Sequence, residues 1–187
     1  RGTGRCYFNT CPSVKKVIPI NRTSGYLIAG DTNYQAGITG TTGKYQEVNN
    51  YNPESGLWFS EYDMENAENV IVLGSELVNQ LYNGVNPVGQ KIKFFSNNHH
   101  YVFEIIGIMD EKGKSFAGNL DYSAYIPIST YQNLFGDGRY ISNFMAQAAS
   151  SEKATEAVAQ IEYLLTKSLG DEDKFNINSQ DQVLETY

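Results

Sequence analysis

Residues 69–109, NVIVLGSELVNQLYNGVNPVGQKIKFFSNNHHYVFEIIGIM, decide the fold because hydrophobic pattern and turn residues agree along the whole stretch. Val70–Leu73 is an uninterrupted β-branched and aliphatic run that is too short for a buried helix, and Gly74 closes it. Such a run is typical of a strand that is covered on both faces. We therefore expect the rest of the chain to pack around this strand.

A short helix is predicted immediately after this strand. Ser75 predicts the N-cap, and Leu77, Val78 and Leu81 form one apolar stripe at helical spacing. Asn83-Gly84 then predicts the end of the helix, since both residues tolerate a left-handed backbone. We expect the apolar stripe to pack back on the strand.

A turn and a β-hairpin complete the stretch. Asn86-Pro87 with Gly89 predicts the turn, and the strands are expected at Lys91–Phe95 and Tyr101–Met109, on either side of a polar loop at residues 96–99. None of these residues has an obvious chemical role. On their own they indicate only a soluble α+β domain.

The same stretch resembles the core signature of the periplasmic domain of MacB-type ABC transporter permeases. The resemblance extends in order over about residues 12–187, and its motifs are Val72-Leu73-Gly74, Asn86-Pro87-Val88-Gly89-Gln90-Lys91-Ile92, Ile105-Ile106-Gly107-Ile108, the lead-in at residues 56–63 and the strand and helix at residues 125–136. No single motif is specific, but their order along the chain is.

The resemblance implies an α+β fold with two lobes on the extracytoplasmic side of a membrane. A porter-like lobe is expected from residues 1–44 and 119–187, and a smaller inserted lobe from residues 45–118. Membrane helices are expected outside this sequence. Residues 111–122 are rich in glycine and polar side chains, which favours a mobile loop between the lobes.

The resemblance also implies a mechanical role in export. The ATPase would lie on a separate nucleotide-binding domain, and this chain would hold no catalytic residue, cofactor or metal. Expected partners are that ATPase, the protein's own membrane helices, a second permease and a periplasmic adaptor, and the cargo would be a drug, a peptide or a lipoprotein. The alternative is a free-standing extracellular ligand-binding module without catalytic activity.

Composition narrows the possible partners. A formal net charge of −7 argues against nucleic acid and against anionic lipid surfaces, both of which require a basic face. No apolar run approaches the roughly 18–20 residues that a membrane-spanning helix needs. Cys6 and Cys11 are close enough in sequence to form a small disulfide loop, or they remain thiols.

Motifs that suggest chemistry fail on inspection. The stretch 40–44, GTTGK, lacks the first glycine and the final Ser or Thr of a phosphate-binding loop. His99 and His100 are adjacent, so on a strand they would point to opposite faces and could not share a metal. The acidic residues at 54–68 lack the spacing of a calcium loop.

The remaining segments predict further strands and helices. Strands are expected at residues 14–20, where Pro19 would end the strand, at 26–29, 36–39, 125–128, 141–149 and 175–178, and helices at 44–51, 130–135, 151–169 and 181–187. Ser150 or Ser151 would cap the helix at 151–169, and Gly170 would stop it. The aromatic residues around the central strand and along the hairpin are expected to pack in the core more than to bind a ligand.

Overall fold

The computed structural model describes residues 11–115, 118–136, 141, 143–170 and 175–179. The chain divides into two compact units, of which one is Ile18–Phe144 and the other combines Arg1–Val17 with Met145–Tyr187. These boundaries differ from the predicted lobes at residues 45–118 and 1–44 with 119–187, and the division into lobes stays a prediction.

Ten strands and five α-helices are assigned among the described residues. The strands are β1 (Val14–Ala29), β2 (Thr32–Thr41), β3 (Pro53–Gly56), β4 (Val70–Leu73), β5 (Lys91–Ser96), β6 (His99–Met109), β7 (Lys114–Ser115), β8 (Gly118–Asn119), β9 (Ser123–Pro127) and β10 (Asn143–Ala148). The helices are α1 (Lys44–Val48), α2 (Glu61–Glu65), α3 (Ser75–Tyr82), α4 (Ile128–Phe135) and α5 (Ala154–Leu169).

Six strands of the larger unit form a closed ring. β1 pairs with β2, β2 with β9, β9 with β4, β4 with β6, β6 with β5, and β5 returns to β1. The β2–β9 and β4–β6 pairs are parallel and the others are antiparallel. β3 adds to β6 outside the ring. Closure satisfies the backbone groups that free edge strands would otherwise expose.

The interior of the ring contains the hydrophobic core. Its strand residues include Leu27, Ile38, Ile71, Phe94, Phe103 and Ile126, and α3 contributes Leu77, Val78 and Leu81. Tyr131, Leu134 and Phe135 of α4 pack against the same cluster. Because the core side chains alternate along each strand, every second residue of the ring points outward.

The central strand and helix agree with the sequence except at the cap. All four residues of β4 are buried, and the apolar stripe of α3 is buried as predicted. The N-cap is Gly74 rather than Ser75, whose Oγ is buried and lacks a hydrogen-bond partner in the described structure. Asn83, with a φ of 51°, ends the helix as expected.

The hairpin is confirmed, with longer strands than predicted. Asn97 and Asn98 form a two-residue turn with φ values of 50° and 64°, so pairing continues to Ser96 and His99. Positive φ at both turn residues matches the right-handed twist of the flanking strands. The predicted polar loop therefore contains only these two asparagines.

β1 corrects the predicted division of the first strands. It runs unbroken from Val14 to Ala29, whereas two separate strands and a stop at Pro19 were expected. The hydroxyl of Thr41 donates a hydrogen bond to the Pro19 carbonyl at 3.0 Å. This bond ties β2 to β1 at the proline itself. Long-range pairing with β2 and β5 overrides the local signal of the proline.

Several short elements also differ from the expectation. The helix expected at 44–51 ends at Val48, and β3 and α2 are additional. The loop expected at residues 111–122 contains the β7–β8 hairpin and a 3-10 turn, Leu120–Tyr122. Its mobility stays a prediction. Residues 175–179 form no strand, and residues 181–187 lie outside the described residues.

The smaller unit contains α5. A 3-10 turn, Ser151–Lys153, precedes this helix, and neither Ser150 nor Ser151 makes the predicted side-chain cap. Gly170, with a φ of 74°, ends α5 as expected. The Gln160 side chain accepts a hydrogen bond from the Ser13 backbone N–H at 3.1 Å. Among the described helices, none has both the length and the apolar character required to span a bilayer.

Candidate functional site

One side of the ring carries an uncovered surface, which we call the outer strand face. It consists of the outward-pointing residues of β1, β5 and β6, namely Tyr26, Ile28, Lys91, Lys93, Phe95, His100, Val102 and Glu104. These residues alternate with Leu27, Phe94 and Phe103, which are buried inside the ring. The alternation places eight side chains on one continuous patch of sheet.

The centre of the outer strand face is aromatic and apolar. Tyr26 lies opposite Phe95, which lies opposite His100, and the Phe95 and His100 ring centroids are 4.7 Å apart. Tyr26, Ile28, Asn33, Phe95 and His100 line an open depression of about 370 Å³. The side chains of Tyr26 and Val102 are 46% and 43% exposed. This is a surface that a partner side chain can enter.

Two lysines flank this apolar centre. Lys93 lies between Ile28 and Val102 in the register, and Lys91 lies opposite Glu104. Both lysines are exposed, and within the described residues the side chain of neither lysine forms an ion pair or a hydrogen bond. The outer strand face is therefore locally basic in a chain of net charge −7.

Elsewhere the outer side of the ring is covered by an aromatic cluster. Tyr125 points outward from β9, and the Tyr45, Tyr51 and Trp58 rings lie at centroid distances of 5.5, 5.9 and 5.3 Å from it. Tyr45, Tyr51 and Tyr125 are at most 1% exposed. Tilted and edge-on rings at these distances stabilise the segment that they hold against the sheet.

Burial controls the ionisation of the three tyrosines. Desolvation raises the pKa of the Tyr45 and Tyr51 hydroxyls, and it raises that of Tyr125 well above its usual range. The Arg22 guanidinium opposes the rise at Tyr45, whereas the Asp121 carboxylate adds to it at Tyr51. Neutral phenols at physiological pH are suited to packing and hydrogen bonding rather than to proton transfer.

A buried carboxylate organises the segment expected to be a loop. Asp121 is 4% exposed, and its oxygens accept hydrogen bonds from the backbone N–H groups of Lys112 at 2.7 Å and Gly113 at 2.6 Å. Gly113 has a φ of 75°, which brings its N–H toward the carboxylate. Charge-assisted bonds of this kind fix both ends of the β7–β8 hairpin.

The sequence motifs that suggested chemistry have structural positions. Thr41 ends β2 and Gly43 caps α1, so the stretch 40–44 is a strand-to-helix turn. His99 and His100 are exposed on β6, where their rings contact Tyr101 and Phe95, respectively. The two imidazoles therefore do not converge on one metal.

The acidic stretch and the cysteines do not form a metal site in the described residues. Asp63 belongs to a capping box with Ser60 at the start of α2. No group of three or more His, Cys, Asp or Glu side chains gathers there in a way that could hold an ion. Cys11 is buried, and Cys6 lies outside the described residues.

Sequence reasoning identified only part of this surface. The hairpin aromatics divide, since Phe94 and Phe103 are buried in the core whereas Phe95 faces outward. The contribution of Tyr26 was missed because the pairing of β1 with β5 joins residues that are distant in sequence. Period-two alternation along β5 was the available signal.

A family model described as MacB-like periplasmic core domain matches residues 5–164. The macrolide export ATP-binding/permease protein MacB of Syntrophobacter fumaroxidans is 31% identical over 148 residues, which cover 79% of this chain and 20% of that protein. The pyoverdine export ATP-binding/permease protein PvdT of Pseudomonas aeruginosa is 30% identical over 156 residues, covering 81% and 23%. The chain thus spans between a fifth and a quarter of these relatives.

Two solved structures share the fold. The periplasmic region of MacB from Actinobacillus actinomycetemcomitans superposes with a TM-score of 0.78 at 23% identity, covering 96% of this chain and 78% of that one. The extracellular domain of the noncanonic ABC-type transporter YknZ gives 0.71 at 18% identity, covering 87% and 80%. The predicted α+β class and the extracytoplasmic location are confirmed.

Proposed function

Since the chain belongs to the family of MacB-like periplasmic core domains, we propose that it works as the extracytoplasmic domain of an ABC transporter permease. The family match over residues 5–164 carries this proposal. ATP hydrolysis belongs to a separate nucleotide-binding domain, and the role of this domain is to transmit motion and to dock partner proteins.

The fold is suited to transmitting force. A closed ring of strands with a filled core deforms little, because packed interiors resist compression and ladder hydrogen bonds join each strand to two others. Motion is then expected at the junctions of rigid bodies rather than inside them. Within the Ile18–Phe144 unit, we propose that the segment at residues 111–122 moves against the ring, with the Asp121 carboxylate as its fixed end.

The proposed assembly contains two permeases, their membrane helices, the ATPase and an extracytoplasmic adaptor. We propose that the cargo is a macrolide or pyoverdine, because the names of the relatives describe the export of these compounds. Peptide and lipoprotein cargo belong to the same superfamily and remain alternatives. The competing function is that of a free-standing extracellular ligand-binding module. In that case the full-length protein would not be recovered in the membrane fraction.

Cysteine labelling of the full-length protein tests the location. Glu54 is exposed on β3, so Glu54→Cys in intact cells should react with a membrane-impermeant maleimide, after Cys6→Ser and Cys11→Ser remove the two thiols of this domain. The same protein without the added cysteine is the control. Labelling that appears only after the inner membrane is permeabilised would place the domain in the cytoplasm and refute the proposal.

Hydrogen exchange tests the motion. In the full transporter, amide exchange at residues 111–122 should differ between the nucleotide-free state and a vanadate-trapped state, whereas exchange in β4 should not change, because β4 is a fully buried strand of the ring. Identical exchange at residues 111–122 in the two states would remove this segment from the mechanism.

A further inference from the structure

We infer that the outer strand face is the docking surface for an acidic segment of a partner protein that also presents apolar side chains. This inference rests on the proposed docking function and names the chemistry of the partner. It combines two properties of this surface, which are an apolar centre with a depression and two flanking lysines whose side chains form no ion pair in the part of the chain that the structure describes.

The apolar centre supplies the contact area. Tyr26, Phe95 and Val102 come from three adjacent strands, and the depression beside Asn33 is open enough to receive one side chain. Aromatic residues at the centre of a patch, with polar groups at its rim, are the arrangement found at protein interfaces. The strand face also offers a partner an extended contact without rearrangement of the ring.

The lysines determine which charge a partner needs at this face. Lys91 and Lys93 project from the same side of β5, and only Glu104 among the eight residues is an anion. A partner carboxylate beside either lysine gains an attraction that the rest of this acidic chain does not provide. An acidic apolar segment therefore fits this face better than a basic or neutral segment.

Two other occupants fit less well. A second copy docked face to face would place four lysines but only two glutamates in the interface, so the cations would outnumber the anions. Attraction to an anionic membrane contributes about 1 kcal/mol of binding free energy for each lysine near the surface. This contribution is small against the electrostatic repulsion between the membrane and a chain of net charge −7.

Peptide binding to the full-length protein in neutral-lipid nanodiscs tests the inference. The probe is a short fluorescent peptide that alternates glutamate and leucine, and the matched probe alternates lysine and leucine. The acidic peptide should bind at least about tenfold more tightly than the basic one. Lys91→Glu with Lys93→Glu should weaken its binding about tenfold.

The matched control reverses two other exposed lysines. Lys44→Glu with Lys114→Glu makes the same change in net charge at exposed residues that do not belong to the outer strand face, and binding should stay within about twofold. Val102→Asp should also weaken binding of the acidic peptide, since it places an anion in the apolar centre. Both double variants change exposed residues, and circular dichroism confirms that each remains folded.

Three results would overturn the inference. They are equal binding of the acidic and basic peptides, undiminished binding after reversal of Lys91 and Lys93, and stronger binding of phosphatidylglycerol vesicles or of a second copy at this face than of the acidic peptide. The maleimide experiment at position 54 does not involve these residues. Failure of the docking inference is therefore distinguishable from failure of the proposed function.

Discussion

The backbone of Leu57 lies directly against Gly107, so that a Cβ placed on residue 107 would be 2.3 Å from the Leu57 carbonyl oxygen. Next to this contact, the Leu57 N–H donates a hydrogen bond to the Ile106 carbonyl at 2.9 Å. The segment that follows β3 is therefore held to β6 through backbone atoms. Glycine is required at residue 107 because another chain segment occupies the position of its side chain.

Gly107→Ala should lower the free energy of unfolding by about 1–3 kcal/mol, because the methyl group forces the Leu57 segment away from β6. Urea unfolding measures the loss. Gly43→Ala is the matched control, since a Cβ there meets no atom within 4 Å and the φ of −59° suits any residue. A loss of equal size in both variants would show that close approach is not the cause.

Asp121→Asn should destabilise the β7–β8 hairpin. The amide retains one acceptor oxygen, so one of the N–H groups of Lys112 and Gly113 loses a charged partner, at a cost of about 2 kcal/mol. We expect faster amide exchange at these two residues and earlier urea unfolding. Asp110→Asn removes the same charge from an exposed residue and should leave both measurements unchanged.

Stability should fall in alkaline solution because the pKa values of Tyr45, Tyr51 and Tyr125 are raised in the folded chain. In the unfolded chain these phenols ionise near about pH 10, so the unfolded state loses protons first and becomes favoured above that pH. Urea unfolding from about pH 8 to about pH 11 should show a plateau and then a decline of up to about 1.4 kcal/mol per pH unit for each tyrosine.

Tyr51→Phe should make the decline of the free energy of unfolding at alkaline pH shallower by the amount that one tyrosine contributes. At neutral pH the variant loses the Tyr51 hydrogen bond to the Leu120 carbonyl, but Tyr125 still donates to that oxygen at 2.9 Å, so the cost should be only about 1 kcal/mol. An unchanged slope above pH 10 would show that Tyr51 ionises equally in both states.

Two substitutions of Asn98 in the hairpin turn should have different effects on stability. Asn98→Gly should be neutral or slightly stabilising, because glycine adopts the φ of 64° without strain. Asn98→Val should lose about 1–2 kcal/mol, since a β-branched residue is strained there. Thermal unfolding of the two variants provides the measurement, and a similar midpoint for both would contradict a left-handed turn at this residue.

Local pattern predicted the local elements well. The buried strand at Val70–Leu73, the apolar stripe of α3 and the hairpin that follows depend on residues near one another in sequence, and all three are present. The order of the motifs also led to the family, because that order reflects the whole chain. The N-cap of α3 was less predictable, because Gly74 and Ser75 are adjacent in sequence. The close packing of Gly74 against the backbone of Asp121, which is distant in sequence, favours Gly74 as the cap.

Tertiary structure decided what no local pattern contains. Closure of the ring depends on β5 pairing with β1 and β4 lying between β6 and β9, and these contacts join residues as far apart in sequence as Tyr26 and Phe95, more than a third of the chain. The same pairing gathers Tyr26, Phe95 and Val102 on one face, and the fold brings Asp121 to the N–H groups of Lys112 and Gly113. The sequence by itself determined which residues avoid water and where the chain turns, because these preferences are properties of single residues and their neighbours. Only the tertiary structure decided which outward-facing side chains remain uncovered, because that depends on which distant strands become neighbours.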